Sequence, residues 1–159
     1  MSTKPIESYQ LYLMYNDVFN YIKIGMCKLG NITQRTAEHS ETLSAKLNHD
    51  QRMLALMKSA ENVHVYHRLN ALNHNVDFTS YNDMKILRTY DLNSTNHDTR
   101  TLEKNVRNEF KYLYDKLDMN NNGTDSKEWF YNDPTGENHK TPAELCEYFD
   151  HVIQTNTAN

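Results

Sequence analysis

Tyr9-Gln10-Leu11-Tyr12-Leu13-Met14-Tyr15, then Asn16-Asp17, then Phe19-Asn20-Tyr21-Ile22-Lys23-Ile24-Gly25 is the stretch that decides the fold. Both flanking segments are aromatic and apolar enough for strands. Asn16-Asp17 is turn chemistry, and Asn20 can serve in the same loop. The spacing predicts a β-hairpin over residues 9–25 that Gly25 ends. Only four glycines occur, at 25, 30, 123 and 136, so each is expected to mark a backbone need. Asn31 or Thr33 can cap a helix over residues 32–47. That helix carries Arg35 and His39 four residues apart, on one face.

Outward from this start, Asp50 can cap a second helix with Met53, Leu54, Leu56 and Met57 as its apolar stripe. Residues 64–72 read as a third helix and 73–83 as loop, so 41–83 is taken as a helical insertion. Residues 84–92 look like a strand. The polar cluster 93–98 can cap a helix over 98–117, whose stripe is Leu102, Val106, Phe110, Leu113, Tyr114 and Leu117. Glu128-Trp129-Phe130-Tyr131 is a short aromatic strand or extended segment. Pro142 suits the first turn of a last helix, 142–154, with Leu145, Tyr148, Phe149 and Val152 inward. The expectation is an α+β fold in one domain: a small three-stranded antiparallel sheet from 9–15, 19–25 and 84–92, flanked by helices.

At 159 residues the chain can bury a real core. There is no run of about 18 apolar residues, which excludes an apolar membrane-spanning helix, and the N-terminus has no apolar segment of a signal peptide. Cys27 and Cys146 have neither metal-ligand spacing nor a disulfide framework; a reduced, intracellular chain is expected. The formal net charge is −4, but unevenly spread: residues 112–159 hold three Lys against nine Asp/Glu, and residues 1–111 hold fourteen Lys/Arg against twelve acids. This excludes a large basic field and leaves room for a nucleic-acid binder relying on a few placed contacts. Twenty Asn with few Gly and Pro suit an AT-rich genome, such as that of a phage or large DNA virus.

Cutting a phosphodiester needs an in-line nucleophile, charge stabilisation on the phosphate and help for the leaving oxygen, commonly from Mg²⁺. A base, an Arg and a carboxylate answer those needs. The order of motifs here resembles the GIY-YIG nuclease superfamily. Gln10-Leu11-Tyr12 is similar to its first motif. Lys23-Ile24-Gly25 is similar to its second, in the Lys-Ile-Gly form of a branch common in phages and large DNA viruses. Arg35 matches the family's helix Arg, and His39 its frequent His or Tyr one turn later. Leu102-Glu103-Lys104 resembles its Glu-bearing helix, and Glu128-Trp129-Phe130 the close of the viral branch, after which some members place an Asn, here Asn132. The resemblance covers residues 9–40 and 84–132. It implies a DNA endonuclease in the host cytoplasm or nucleus, dependent on Mg²⁺ or Mn²⁺ held by Glu103, with DNA as partner and a homodimer as one arrangement for cutting both strands.

Each residue also has a plainer reading. Arg35 would stabilise a phosphate in its transition state, or be a surface helix Arg. Glu103 would bind Mg²⁺, or pair with Arg107 at i+4. Tyr12 would orient or deprotonate the attacking water, or pack in the core. Lys23 can be a desolvated base or a phosphate contact, with Tyr21, on the same strand face, as a substitute phenol. His39 can be base, relay or phosphate donor, or a surface His. His64, His67 and His74 could hold zinc if helical, though a solvated face is the expected state. The alternative to an enzyme is a domain of the same fold that binds nucleic acid or a partner protein without catalysis, which Lys23 and the acidic balance favour. A third is a viral α+β interaction protein with an accidental motif match.

Overall fold

A computed structural model describes residues 5–57 and 83–157. In chain order the elements are β1 (Ile6–Asn16), β2 (Tyr21–Lys28), α1 (Ile32–Met57), β3 (Lys85–Thr95), α2 (Asn96–Leu113), β4 (Asp115–Lys116), β5 (Trp129–Tyr131) and α3 (Pro142–Thr157). The fold is α+β. The sheet is antiparallel throughout, in the order β3-β1-β2-β5-β4. The three expected strands form its larger part, and two short strands extend it to five.

The hairpin register places Tyr12 opposite Gly25 and Met14 opposite Lys23. Its turn is built by Asn16, whose Oδ1 accepts from the Val18 and Phe19 amides at 3.1 and 2.8 Å, and by Asn20 at φ +62°. Two details differ from expectation. β2 begins at Tyr21 rather than residue 19, because residues 17–20 are spent on the turn. Gly25 lies inside the strand, not at its end: a Cβ there would overlap the Tyr12 phenol ring, 2.5 Å from Cζ. The glycine serves a close approach rather than a chain reversal.

Helix boundaries moved for similar local reasons. α1 runs unbroken to Met57, so Asp50 caps nothing; it is buried and pairs with Lys46 one turn earlier at 3.3 Å. The expected helix at 64–72, the three histidines His64, His67 and His74 and most of the insertion lie outside the described residues. β3 continues to Thr95, whose Oγ1 then accepts from the Asp98 amide at 3.1 Å and starts α2 at Asn96, a cap worth about 1 kcal/mol. α2 ends at Leu113, not at 117: Tyr114 turns extended, β4 follows, and the Leu117 amide bonds the Trp129 carbonyl at 3.2 Å. Thr141 and Glu144 form a reciprocal capping box around Pro142.

Strand alternation sorts the core into two clusters. Leu11, Leu13, Ile22 and Ile24 face Val106 and Phe110 of α2 and Leu145, Phe149 and Val152 of α3. Tyr12, Met14, Tyr21 and Cys27 face the other way, with Leu43 and Leu47 of α1, Met119 and Trp129. The sheet thus lies between α1 on one face and α2 with α3 on the other. Among the described residues, no helix is long and apolar enough to cross a membrane.

Candidate active site

The site follows from the shortness of β5. It pairs with Tyr21–Lys23 only, and the Glu128 carbonyl accepts the Ile24 amide at 3.0 Å. β2 continues beyond this point to Lys28. A cavity of ≈ 360 Å³ opens beside that continuation. The sheet and α1 supply Tyr12, Arg35 and His39 to its lining; α2 supplies Arg100 and Glu103 from the opposite face; the segment before β5 supplies Glu128. Four expected site residues, Tyr12, Arg35, His39 and Glu103, therefore share one cavity.

Tyr12 and His39 form a pair. The phenol oxygen lies 2.7 Å from His39 Nε2, and the imidazole stands edge-on to Trp129 with ring centroids 5.9 Å apart. Burial, with Lys23 and Arg35 nearby, pushes the imidazole down to about 4. It is neutral at physiological pH, and which partner donates follows from the imidazole tautomer. Burial and the Glu128 charge hold the Tyr12 phenol well above the ordinary phenol range. Tyr12 is therefore a neutral phenol rather than a phenolate. Arg35 sits a turn before His39, half-exposed, with its guanidinium 3.1 Å from Glu38 on the same helix.

The opposite wall is a charge cluster. Glu103 Oε1 lies 3.2 Å from Arg107 Nε, the i+4 pair anticipated from spacing. Burial, a hydrogen bond with Glu128 and the Glu128 charge push Glu103 up to about 7. Burial alone would raise Glu128 too, but the Lys23 charge and the bond with Glu103 outweigh it and hold its carboxyl below the usual value. The two carboxyls thus titrate as a linked pair, in which Lys23 favours the ionised form of Glu128 and Glu103 holds its proton more tightly than an ordinary carboxyl.

Lys23 does not line the cavity. Its ammonium is in direct contact with Glu128 Oε2, its side chain is 4% exposed, and it lies 5.8 Å from the Trp129 ring centroid. Burial pushes its pKa below the ordinary amine value against the opposing pull of Glu128. Tyr21 is fully buried, edge-on to Tyr131 and away from the cavity lining; it does not stand in as a second phenol. Asn132 is also placed elsewhere. Its Nδ2 donates to the Tyr15 hydroxyl at 3.0 Å and the Lys140 carbonyl at 2.7 Å, and its Oδ1 accepts the Lys140 amide at 3.1 Å. It ties the loop before α3 to the sheet.

Glu128 was missed as a site residue, since in sequence it reads as the edge of an aromatic strand. The available signal was position: a carboxylate directly before the strand Trp129–Tyr131 that pairs with Tyr21-Ile22-Lys23. Among the described residues no three or more His, Cys, Asp or Glu group to hold a metal ion. Glu103 and Glu128 nevertheless suit a hard divalent cation by donor type, because Mg²⁺ takes one or two carboxylates and keeps its waters. No protein-family model, curated protein or solved structure matches this chain.

Proposed function

We propose that the protein is a Mg²⁺- or Mn²⁺-dependent DNA endonuclease of the GIY-YIG type, acting by water attack on a phosphodiester. One observation carries the reading: Tyr12, Arg35, His39 and Glu103, the residues singled out from that resemblance, line a single cavity fed by both faces of the sheet. The two free cysteines suit a reducing intracellular compartment.

In this reading His39 takes the tautomer with Nε2 unprotonated, and a water beside Tyr12 passes its proton to the phenol oxygen as the phenol passes its own to Nε2. Arg35 donates to a non-bridging phosphate oxygen, where negative charge grows. Glu103 and Glu128 would hold the cation, whose chemistry is to neutralise the phosphate and the departing oxygen. Gly25 keeps the Tyr12 ring seated against β2.

The experiment is nicking of supercoiled plasmid by the purified chain with Mg²⁺, with Mn²⁺ and with chelator. Wild type is expected to nick only with metal, and Arg35→Ala and Glu103→Ala are each expected to fail. A second reading, a non-catalytic nucleic-acid-binding domain, is favoured by Lys23: its ammonium is engaged by Glu128 where most of the family would present a second phenol. Salt-sensitive DNA binding that Arg35→Ala weakens, without nicking under any metal, would select it.

A further inference from the structure

We propose that Arg100 and Lys28 form a second phosphate-binding point of this cavity, across the open edge of β2 from Arg35, so that the ligand is a run of DNA backbone with more than one phosphate engaged. This rests on the DNA reading above and adds to it the contacts that would hold the strand beside the bond to be cut.

Lys28, Arg35 and Arg100 line the one cavity and come from three elements, the end of β2 and the starts of α1 and α2. Topology gathers them. β2 and β3 flank β1 in the antiparallel sheet, so Lys28 and Thr95 close their strands at the same end of the sheet, and α1 and α2 both start there. β5 pairs with β2 only over Tyr21–Lys23, and the outer edge of β2 towards Lys28 carries no strand among the described residues. Alternation puts Lys28 on the strand face of Ile22, Ile24 and Met26, which pack with α2. Lys28 and Arg100 therefore stand on the α2 side of the sheet, and Arg35 on the α1 side. Their charges are not cancelled within the cavity. Glu103 and Glu128, its acidic members, are each matched by a cation that does not line it, Arg107 and Lys23. Lys28 meets Glu7 at 3.4 Å and Arg35 meets Glu38 at 3.1 Å, both in exposed pairs of little worth that a phosphate can replace. Arg100 has no carboxylate partner among the described residues. Its Nε donates to Asn96 Oδ1, one turn earlier, at 2.8 Å, a neutral tether that steadies the guanidinium and leaves its terminal nitrogens to a ligand. The volume, ≈ 360 Å³, is in the range of sites that enclose a whole small molecule, far more than one phosphate group fills. A strand laid across this open edge would meet Arg35 on one side and Lys28 with Arg100 on the other.

The test is fluorescence anisotropy of a labelled DNA duplex with the full chain in chelator, where no cutting occurs, over a series of salt concentrations. Each phosphate contact contributes about 0.9 to the slope of log Kobs against log salt. Arg100→Ala is expected to lower the slope by about one contact and Lys28→Ala to do the same, while Arg100→Lys keeps it. Lys111→Ala removes the same charge from the exposed last turn of α2, away from the cavity lining, and is expected to leave the slope unchanged. Equal losses in Arg100→Ala and Lys111→Ala would mean a diffuse field and overturn the proposal, as would a wild-type slope in Arg100→Ala or a wild type that binds no DNA. Displacement of the DNA by millimolar inorganic phosphate at constant ionic strength would assign the cavity to a single small anion and overturn the strand as ligand. Plasmid nicking with Mg²⁺ keeps the two readings apart. A chain that nicks while Arg100→Ala retains the wild-type slope loses only the second phosphate point. A chain that never nicks but whose slope needs Arg100 keeps that point and loses the nuclease. The substituted positions are all exposed, and far-UV circular dichroism checks each variant; should Arg100→Ala fail to fold, Lys28→Ala decides by the same slope.

Discussion

The two faces of the sheet use different chemistry. Toward α2 and α3, β1 and β2 present Leu11, Leu13, Ile22 and Ile24 to Val106, Phe110, Leu145 and Phe149, a layer rich in aliphatic and phenyl groups. Toward α1 the same strands present Tyr12, Met14, Tyr21 and Cys27 with Met119 and Trp129, and Lys23 is buried among them. Phenols, indole and thioethers combine apolar bodies with polar or adaptable tips. On the first face volume dominates, and its buried phenols, Tyr15 and Tyr114, donate to Asn20 Oδ1 and the Asn138 carbonyl at 2.7 and 2.8 Å. On the second, each buried tip needs a partner, as Tyr12 has in His39 and Lys23 has in Glu128. A period of two residues along β2 separates the two sets of side chains.

The largest test of that contrast is Phe110→Ala. It removes the ring that meets Tyr114, Phe130, Tyr148 and Phe149 and should cost about 3–5 kcal/mol in urea unfolding. A loss no greater than that of a surface substitution would remove the distinction. Arg35→Ala is its counterpart. Half-exposed, it should leave urea stability within about 0.5 kcal/mol while lowering plasmid nicking by roughly 10²–10³-fold, the usual scale for a lost transition-state donor. Gly25→Ala tests the boundary between the faces. The added methyl must displace the Tyr12 phenol, at about 1–3 kcal/mol for overpacking, and nicking should fall with it. Unchanged melting and activity would mean that the close approach is not needed.

The smallest effect is on pH. His39 has a folded value of about 4 against an ordinary 6.5. Between those values the unfolded chain binds more protons, so its contribution to stability is lost as pH falls from 6.5 towards 4. Glu103 runs the other way. Its folded value, about 7, lies above the ordinary 4.5, so its contribution is present below 4.5 and is lost as pH rises through 7. The two slopes oppose each other between pH 4.5 and 6.5. His39→Gln should therefore leave stability falling with rising pH in that window, and Glu103→Gln should leave it rising. Melting temperatures measured against pH for the three proteins check the signs, and equal slopes in all three would sever the two walls.

Much of the framework was legible because it is local. Alternation in 9–15, the Asn16 turn, the stripe of α2 and the Pro142 start of α3 each depend on neighbours within a few residues. The motif order also brought Tyr12, Arg35, His39 and Glu103 to attention, and these do meet. What escaped turned on pairings that a capping signal or a helical period does not reveal. The expected break at Asp50 failed because its carboxylate is satisfied by Lys46 and no longer seeks a helix end. The expected end of α2 at residue 117 failed because Leu117 is buried on the α1 face rather than with the stripe of α2.

By itself, then, the amino-acid order determined the class of fold, the hairpin and which side chains share a strand face, since backbone periodicity and turn chemistry act over a few positions. Tertiary structure alone decided that Gly25 makes room for a phenol, that Glu128 joins Glu103, and that Lys23 serves a carboxylate rather than the cavity. Those outcomes hinge on where β5 docks on β2. Docking sets distances between groups far apart in the chain, and distance together with burial governs which charges are paired and which protons are held.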